Sequence, residues 1–204
     1  MALLIKKFGG TSVGSIEKIK SIAKHICESK ENGNDLVIVV SAMGHSTDEL
    51  NTLAESITKT PSKRELDMLL STGEQVTMSL LSMAISQYGV PAISMTGSQV
   101  GIVTESIHGK ARILDIKTER VKDFIEQGYV VVIAGFQGSS LSHNGSMEIT
   151  TLGRGGSDTS AVALASALGG DTCEIYTDVP GVLTTDPRIV KDAKLLTQIS
   201  CEEM

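Results

Sequence analysis

The sequence predicts an α/β fold: an open, mainly parallel sheet with helices on both faces, a three-layer sandwich. Three observations carry this. Leu36-Val37-Ile38-Val39-Val40 and Tyr129-Val130-Val131-Val132-Ile133-Ala134 are apolar at consecutive positions, the pattern of central strands covered on both faces. Segments with helical spacing separate such runs, so strand and helix alternate along the chain. Glycine-rich polar stretches follow the strands, where open α/β sheets gather their ligands.

The first forty residues spell a βαβ unit. Ala2-Leu3-Leu4-Ile5 leads through Lys6-Lys7-Phe8 into a turn, Gly9-Gly10-Thr11-Ser12-Val13-Gly14. A helix is expected from about Ser15 to Glu31, because Ile16, Ile19, Ile22, Ala23 and Ile26 recur on one face. Gly33 closes it before the Leu36 strand, and the crossover is expected to be right-handed. Ser41 to Asp48 then forms a loop at that strand's carboxyl end, with Ser46 or Thr47 capping a helix to about Thr58. Pro61-Ser62 breaks the chain before a longer helix from about Lys63 to Tyr88. Gly73 in its middle predicts a close approach or a break. Glu74, next to it, reads on its own as a solvated helix residue.

Val90 to Met95 is a further strand, and Val100 to Ile113 reads as a hairpin-like excursion. His108 within it has no partner at metal-ligand spacing and reads as a loop residue. Arg120 to Gln127 is a short helix stopped by Gly128. The Tyr129 strand ends at Gly135-Phe136-Gln137-Gly138. Ser139 to Ser146, small and polar with an Asn144-Gly145 turn dipeptide, is expected to project into solvent. Thr150 to Ser160 reads as a flexible polar loop containing Gly153-Arg154-Gly155-Gly156. It runs into a helix, Ala161 to Leu168, with Ser157 or Asp158 as its cap. Cys173 to Tyr176 is a fourth strand, followed by Thr177-Asp178 and a turn. Val182-Leu183 reads as a brief strand, Thr184 to Arg188 as a polar loop, and Lys191 to Met204 as the start of another element.

With 204 residues and no repeat or linker, the chain fits one domain. A net charge of −6 without any basic run argues against a nucleic-acid partner. Cys27, Cys173 and Cys201 are odd in number and widely spaced, which suits reduced thiols in the cytoplasm. Lys6 and Lys7 interrupt the apolar start, so no signal peptide is expected, and no apolar run is long enough to span a bilayer.

A doubly wound sheet would bring Gly9 to Gly14, Ser41 to Asp48, Gly135 to Gly138 and Thr177 to Arg188 to one crevice, with the arginine loop opening onto it. Two of these are glycine loops feeding helix N-termini, an arrangement that holds phosphate through backbone N–H groups and the helix dipole. Neither matches the Walker pattern, because Lys7 precedes its glycines. A lysine arriving on the strand can still bridge donor and acceptor oxygens during phosphoryl transfer. Arg154 supplies a planar fork for a carboxylate or phosphate.

Lys7-Phe8-Gly9-Gly10-Thr11-Ser12-Val13, Thr151-Leu152-Gly153-Arg154-Gly155-Gly156-Ser157-Asp158 and Tyr176-Thr177-Asp178-Val179-Pro180-Gly181 with Thr185-Asp186-Pro187-Arg188 resemble aspartate kinase. The likeness extends to Ser41-Ala42-Met43 and Ser71-Thr72-Gly73-Glu74 and spans the whole chain. It implies the amino-acid kinase (carbamate kinase-like) fold. It also implies transfer of the ATP γ-phosphoryl group to the aspartate side chain, the first step of the lysine, threonine and methionine pathway. By that likeness Lys7 is catalytic, and Asp158 orients Lys7 or the substrate amine. Phe8, Gly9, Gly10 and Ser41 lie at the nucleotide phosphates. Thr47 and Glu74 contact the amino acid, with Glu74 on its ammonium. Arg154 clamps its carboxylate beside Gly155, Gly156 and Ser157. Thr177, Asp178, Leu183, Asp186 and Arg188 line the nucleotide pocket, and Mg²⁺ rides on the ATP oxygens with few or no protein ligands. The likeness further implies a cytoplasmic homo-oligomer, with a place for a regulatory chain.

In this comparison residues 1–204 form a catalytic domain lacking its final part and the paired ACT regulatory domains. Ser139 to Met147 is longer than usual, without chemistry of its own. A related kinase acting on acetylglutamate or a nucleotide fits the first motif poorly. From another class, a nucleotide-binding scaffold fragment is the alternative.

Overall fold

The computed structural model describes residues 2–142, 145–179, 181–185 and 189–200. A five-stranded, wholly parallel sheet forms its centre, in the order β3 (Ala92–Met95), β6 (Val130–Ala134), β2 (Asp35–Val40), β1 (Leu3–Phe8), β9 (Thr172–Tyr176). The two continuous apolar runs are its inner strands, and alternation splits each between two cores. Leu36, Ile38 and Val40 pack with α1 (Ile16–Glu31) and α3 (Lys63–Ser86). Val37 and Val39 face the opposite core, with Val121 of α5 (Glu119–Glu126) and Ala161 and Leu164 of α6 (Gly156–Leu168). Both faces are therefore dry, which is why these strands cannot alternate polar with apolar residues.

Helix α1 begins where Ser15 accepts a hydrogen bond from the Lys18 N–H (3.3 Å). Helix α2 (Ser46–Ile57) differs from expectation. Its cap position is His45, without a side-chain bond, and the Ser46 hydroxyl instead donates back to the Met43 carbonyl (2.7 Å). The long α3 passes through Gly73 unbroken. A Cβ there would stand 2.8 Å from Ala42 Cβ, so the glycine marks close approach to the loop after β2.

A second, four-stranded sheet, in the order β5 (Ile113–Ile116), β4 (Ile102–Thr104), β7 (Gln137–Leu141), β8 (Met147–Thr151), stands beside the first. The excursion from Val100 is the antiparallel β4–β5 pair, entered through the single turn α4 (Gly97–Val100) and its Thr96–Gln99 capping box. The segment from Ser139 corrects the sequence reading. It is no free loop but the arms of an antiparallel hairpin, β7 and β8, which also takes in Thr150 and Thr151. The strands escape detection because their buried side chains are polar: Gln137, Ser139, Ser140, Thr150 and Thr151. Three of them have clear partners: the Thr104 and Thr150 hydroxyls are 2.5 Å apart, Gln137 Nε2 donates to the Ser71 carbonyl (2.9 Å), and the Thr151 hydroxyl donates to Asp67 (2.6 Å). The brief strand at Val182-Leu183 reduces to one bridge between Leu183 and Leu195. Asn144, Asp186 to Arg188 and Cys201 to Met204 lie outside the described residues. No helix among the described residues is long and apolar enough to cross a membrane.

Candidate active site

Adjacent lysines at the end of β1 part company because successive strand residues face opposite ways. Lys6 turns toward the α1 side and pairs with Glu174 (3.3 Å). Lys7, only 7 % exposed, turns toward α6 and places Nζ 2.6 Å from Asp158 Oδ1. The contact is ionic rather than a directional hydrogen bond, since that oxygen has no partner aligned for one. Gly9 follows, where a Cβ would come 3.5 Å from the Lys7 ammonium. Its own N–H is engaged by the Tyr176 carbonyl (3.1 Å). Gly10 packs against the loop after β2, where a Cβ would meet the Ala42 carbonyl at 2.9 Å, and its carbonyl receives the Gly44 N–H (3.0 Å).

Glu74 is no solvated helix residue. It is 3 % exposed, and its Oε1 accepts the Ala42 N–H (3.2 Å) while Oε2 is buried without a partner. Burial pushes its carboxyl up to about 7, opposed in part by the hydrogen bonds it accepts. A half-satisfied carboxylate in such a place calls for a cation.

The glycine–arginine loop enters α6 through Gly155 in the left-handed region (φ 75°), with no side-chain cap. Ser157 and Asp158 are thus first-turn residues and not caps. Gly156 N–H returns to the Gly153 carbonyl (3.0 Å), and the first helical bond is Thr159 N–H to Gly155 (3.0 Å). Between them the N–H groups of Ser157 and Asp158 occupy the helix's anion-binding end. Phe136 packs beneath, since a Cβ on Gly156 would stand 2.9 Å from its ring. Phe136 itself has φ 68°, the sole positive φ outside glycine among the described residues, and such strain concentrates at functional sites. Arg154 is exposed.

One cavity of about 360 Å³ joins these groups. Lys7, Gly10, Ser41, Thr47, Glu74 and the Arg154 to Asp158 stretch all line it. A profile of the amino acid kinase family matches residues 2–204. The chain belongs to the amino acid kinase family. Aspartokinase 2 of Bacillus subtilis (strain 168) is 60 % identical over all 204 residues, which cover 49 % of that protein. The chain thus spans about half the length of the curated relatives it matches. The crystal structure of aspartate kinase from Synechocystis superposes with a TM-score of 0.83 at 57 % identity, covering 98 % of this chain and 32 % of that one. E. coli aspartokinase III in complex with aspartate and ADP (R-state) gives 0.80 at 26 % identity, covering 95 % of this chain and 53 % of that one.

Other residues singled out in this family member stand apart from the cavity. The Phe8 side chain is core and stacks on Tyr176 (4.6 Å between centroids). Thr177, whose hydroxyl donates to Asp178 (3.2 Å), borders a separate hollow with Phe8 and Lys18 under α1. Leu183 forms an isolated antiparallel bridge with Leu195. Asp186 and Arg188 lie outside the described residues. The sequence brings the loops holding Ala42, Gly44 and Phe136 to the crevice but does not single out these residues, or Gly153, as lining it; the flanking Gly135 and Gly138 were the signal available for Phe136.

Proposed function

We propose that this chain is the substrate-binding part of an ATP-dependent kinase that phosphorylates the side-chain carboxylate of L-aspartate. The carrying observation is the meeting of three groups on one cavity: the Lys7 ammonium, the Arg154 guanidinium and the unpartnered oxygen of Glu74. An amino acid with a second carboxylate matches all three. Glu74 takes its ammonium, beside Thr47, and Arg154 takes the α-carboxylate in bidentate fashion. The side-chain carboxylate then faces Lys7 and the first turn of α6. Because that acceptor is already an anion, no general base is needed. Catalysis is positioning and charge neutralisation: Lys7 bridges donor and acceptor oxygens, held there by Asp158. Ser41, Gly10 and the Ser157 and Asp158 N–H groups face the phosphates.

ATP is the donor, with its sugar, base and outer phosphates toward Thr177, Asp178, Leu183, Asp186 and Arg188. Mg²⁺ would travel mainly on the ATP phosphates. Residues 1–204 are read as a catalytic domain that continues in the full protein, cytoplasmic and homo-oligomeric, serving lysine, threonine and methionine synthesis. The likeness to aspartokinases along the entire chain favours this over a scaffold fragment. The test is acyl phosphate trapped as a hydroxamate from aspartate and ATP–Mg²⁺. Lys7→Met should cut kcat by roughly 10²–10³-fold or more. An unchanged kcat would overturn the assignment.

A further inference from the structure

Helix α3 carries a second buried carboxylate, two turns before Glu74, that the chemistry above does not use. Asp67 is 1 % exposed and accepts from every side. Its Oδ1 receives the Thr151 hydroxyl (2.6 Å), its Oδ2 the His108 Nδ1–H (2.7 Å), and the Gly109 N–H lies 3.1 Å from both oxygens. These donors come from the turn after β4 and the last residue of β8, two segments otherwise tied by the Ala111 N–H to the Thr151 carbonyl (2.9 Å). Thr151 stands three residues before Arg154. Gly109 backs the arginine loop directly, since a Cβ on Gly153 would be 3.3 Å from its carbonyl. Behind the loop a second cavity, about 490 Å³, is lined by Asp67, His108, Thr151, Gly153 and Arg154 among others.

We infer that Asp67 is a positioning residue for Arg154: through Thr151, His108 and Gly109 it sets where the guanidinium meets the acceptor. Asp67 and Glu74 lie seven residues apart on the buried face of one helix. One rigid element therefore fixes both ends of the amino-acid clamp, Glu74 by contact and Arg154 through its loop. A loop displaced by an ångström loses the bidentate geometry while leaving the nucleotide side untouched.

The inference rests on the aspartate kinase reading, and steady-state kinetics separate the two. Asp67→Asn and Thr151→Val, the latter a near-isosteric swap in a strand, should each raise the aspartate KM roughly 10-fold. ATP KM and kcat should stay within about 3-fold of wild type. In an Arg154→Ala background neither change should raise the aspartate KM further, because the group they position is gone. Additive effects in that background, or equal rises in both substrates' KM, would overturn the inference and leave Asp67 merely structural. A wild type that forms no acyl phosphate from aspartate would overturn the reading of the reaction, and this inference with it.

Discussion

Glu74 is the residue on which pH should act. Its carboxyl stands at about 7 against an ordinary 4.5, raised by burial. The folded state keeps a proton that the unfolded chain has lost, so this group's contribution to stability falls as pH rises from 4.5 toward 7, by at most about 3 kcal/mol. An ammonium arriving at the bare oxygen reverses that balance and holds the ionised form. We therefore expect kcat/KM for aspartate to fall as pH drops below about 7, and Glu74→Gln to abolish that limb while weakening aspartate binding at pH 8. The same variant should be more stable than wild type at pH 8. A pH–rate profile and paired melts check both, and a limb that survives in Glu74→Gln assigns it elsewhere. Arg154 is the counterpart without burial. Arg154→Ala should chiefly raise the aspartate KM; a rise in the ATP KM alone would invert the division of the cleft.

Among the elements, β7 and β8 matter most for what they press against. Gly97 opens α4 where a Cβ would fall 2.0 Å from the Gln137 carbonyl, a backbone atom that cannot swing aside. Gly97→Ala must shift β7 and, through its ladder with β8, the strand that ends at Thr151. We expect a loss of about 1–3 kcal/mol, measured by denaturant unfolding, together with a raised aspartate KM. Full stability in that variant would mean the two segments can part freely. This contact was invisible in the sequence, where Gln137 to Thr151 has no apolar period. The hairpin is a backbone ladder whose buried side chains are hydroxyls and an amide, and polar burial leaves no mark that hydrophobic patterning can find. The helices with apolar stripes, by contrast, were placed almost to the residue.

For the whole molecule, the cavity lies between the two layers of helices. Glu74 belongs to α3 on one face of the main sheet, and the first turn of α6 lies on the other. An amino acid gripped by both joins the layers across the strand ends. Aspartate should therefore slow amide hydrogen exchange at residues 71–74 and 153–158 together. Protection of only one segment would show that the clamp does not span the sheet. Binding at 100 times the dissociation constant should also add about 2.7 kcal/mol to stability.

From the residues alone came the α/β class, the central strands and the glycine loops, because periodicity and loop chemistry are local properties. Lys7, Glu74 and Arg154 were nameable together only through the resemblance of their motifs to aspartate kinase, since Glu74 on its own reads as a solvated helix residue. Only the folded chain decided that Lys6 and Lys7 face opposite cores, that Glu74 is buried with one oxygen bare, and that Asp67 braces the arginine loop from 84 residues away. Those facts depend on which distant backbone comes to rest against each side chain, and burial, pairing and charge state exist only once it has.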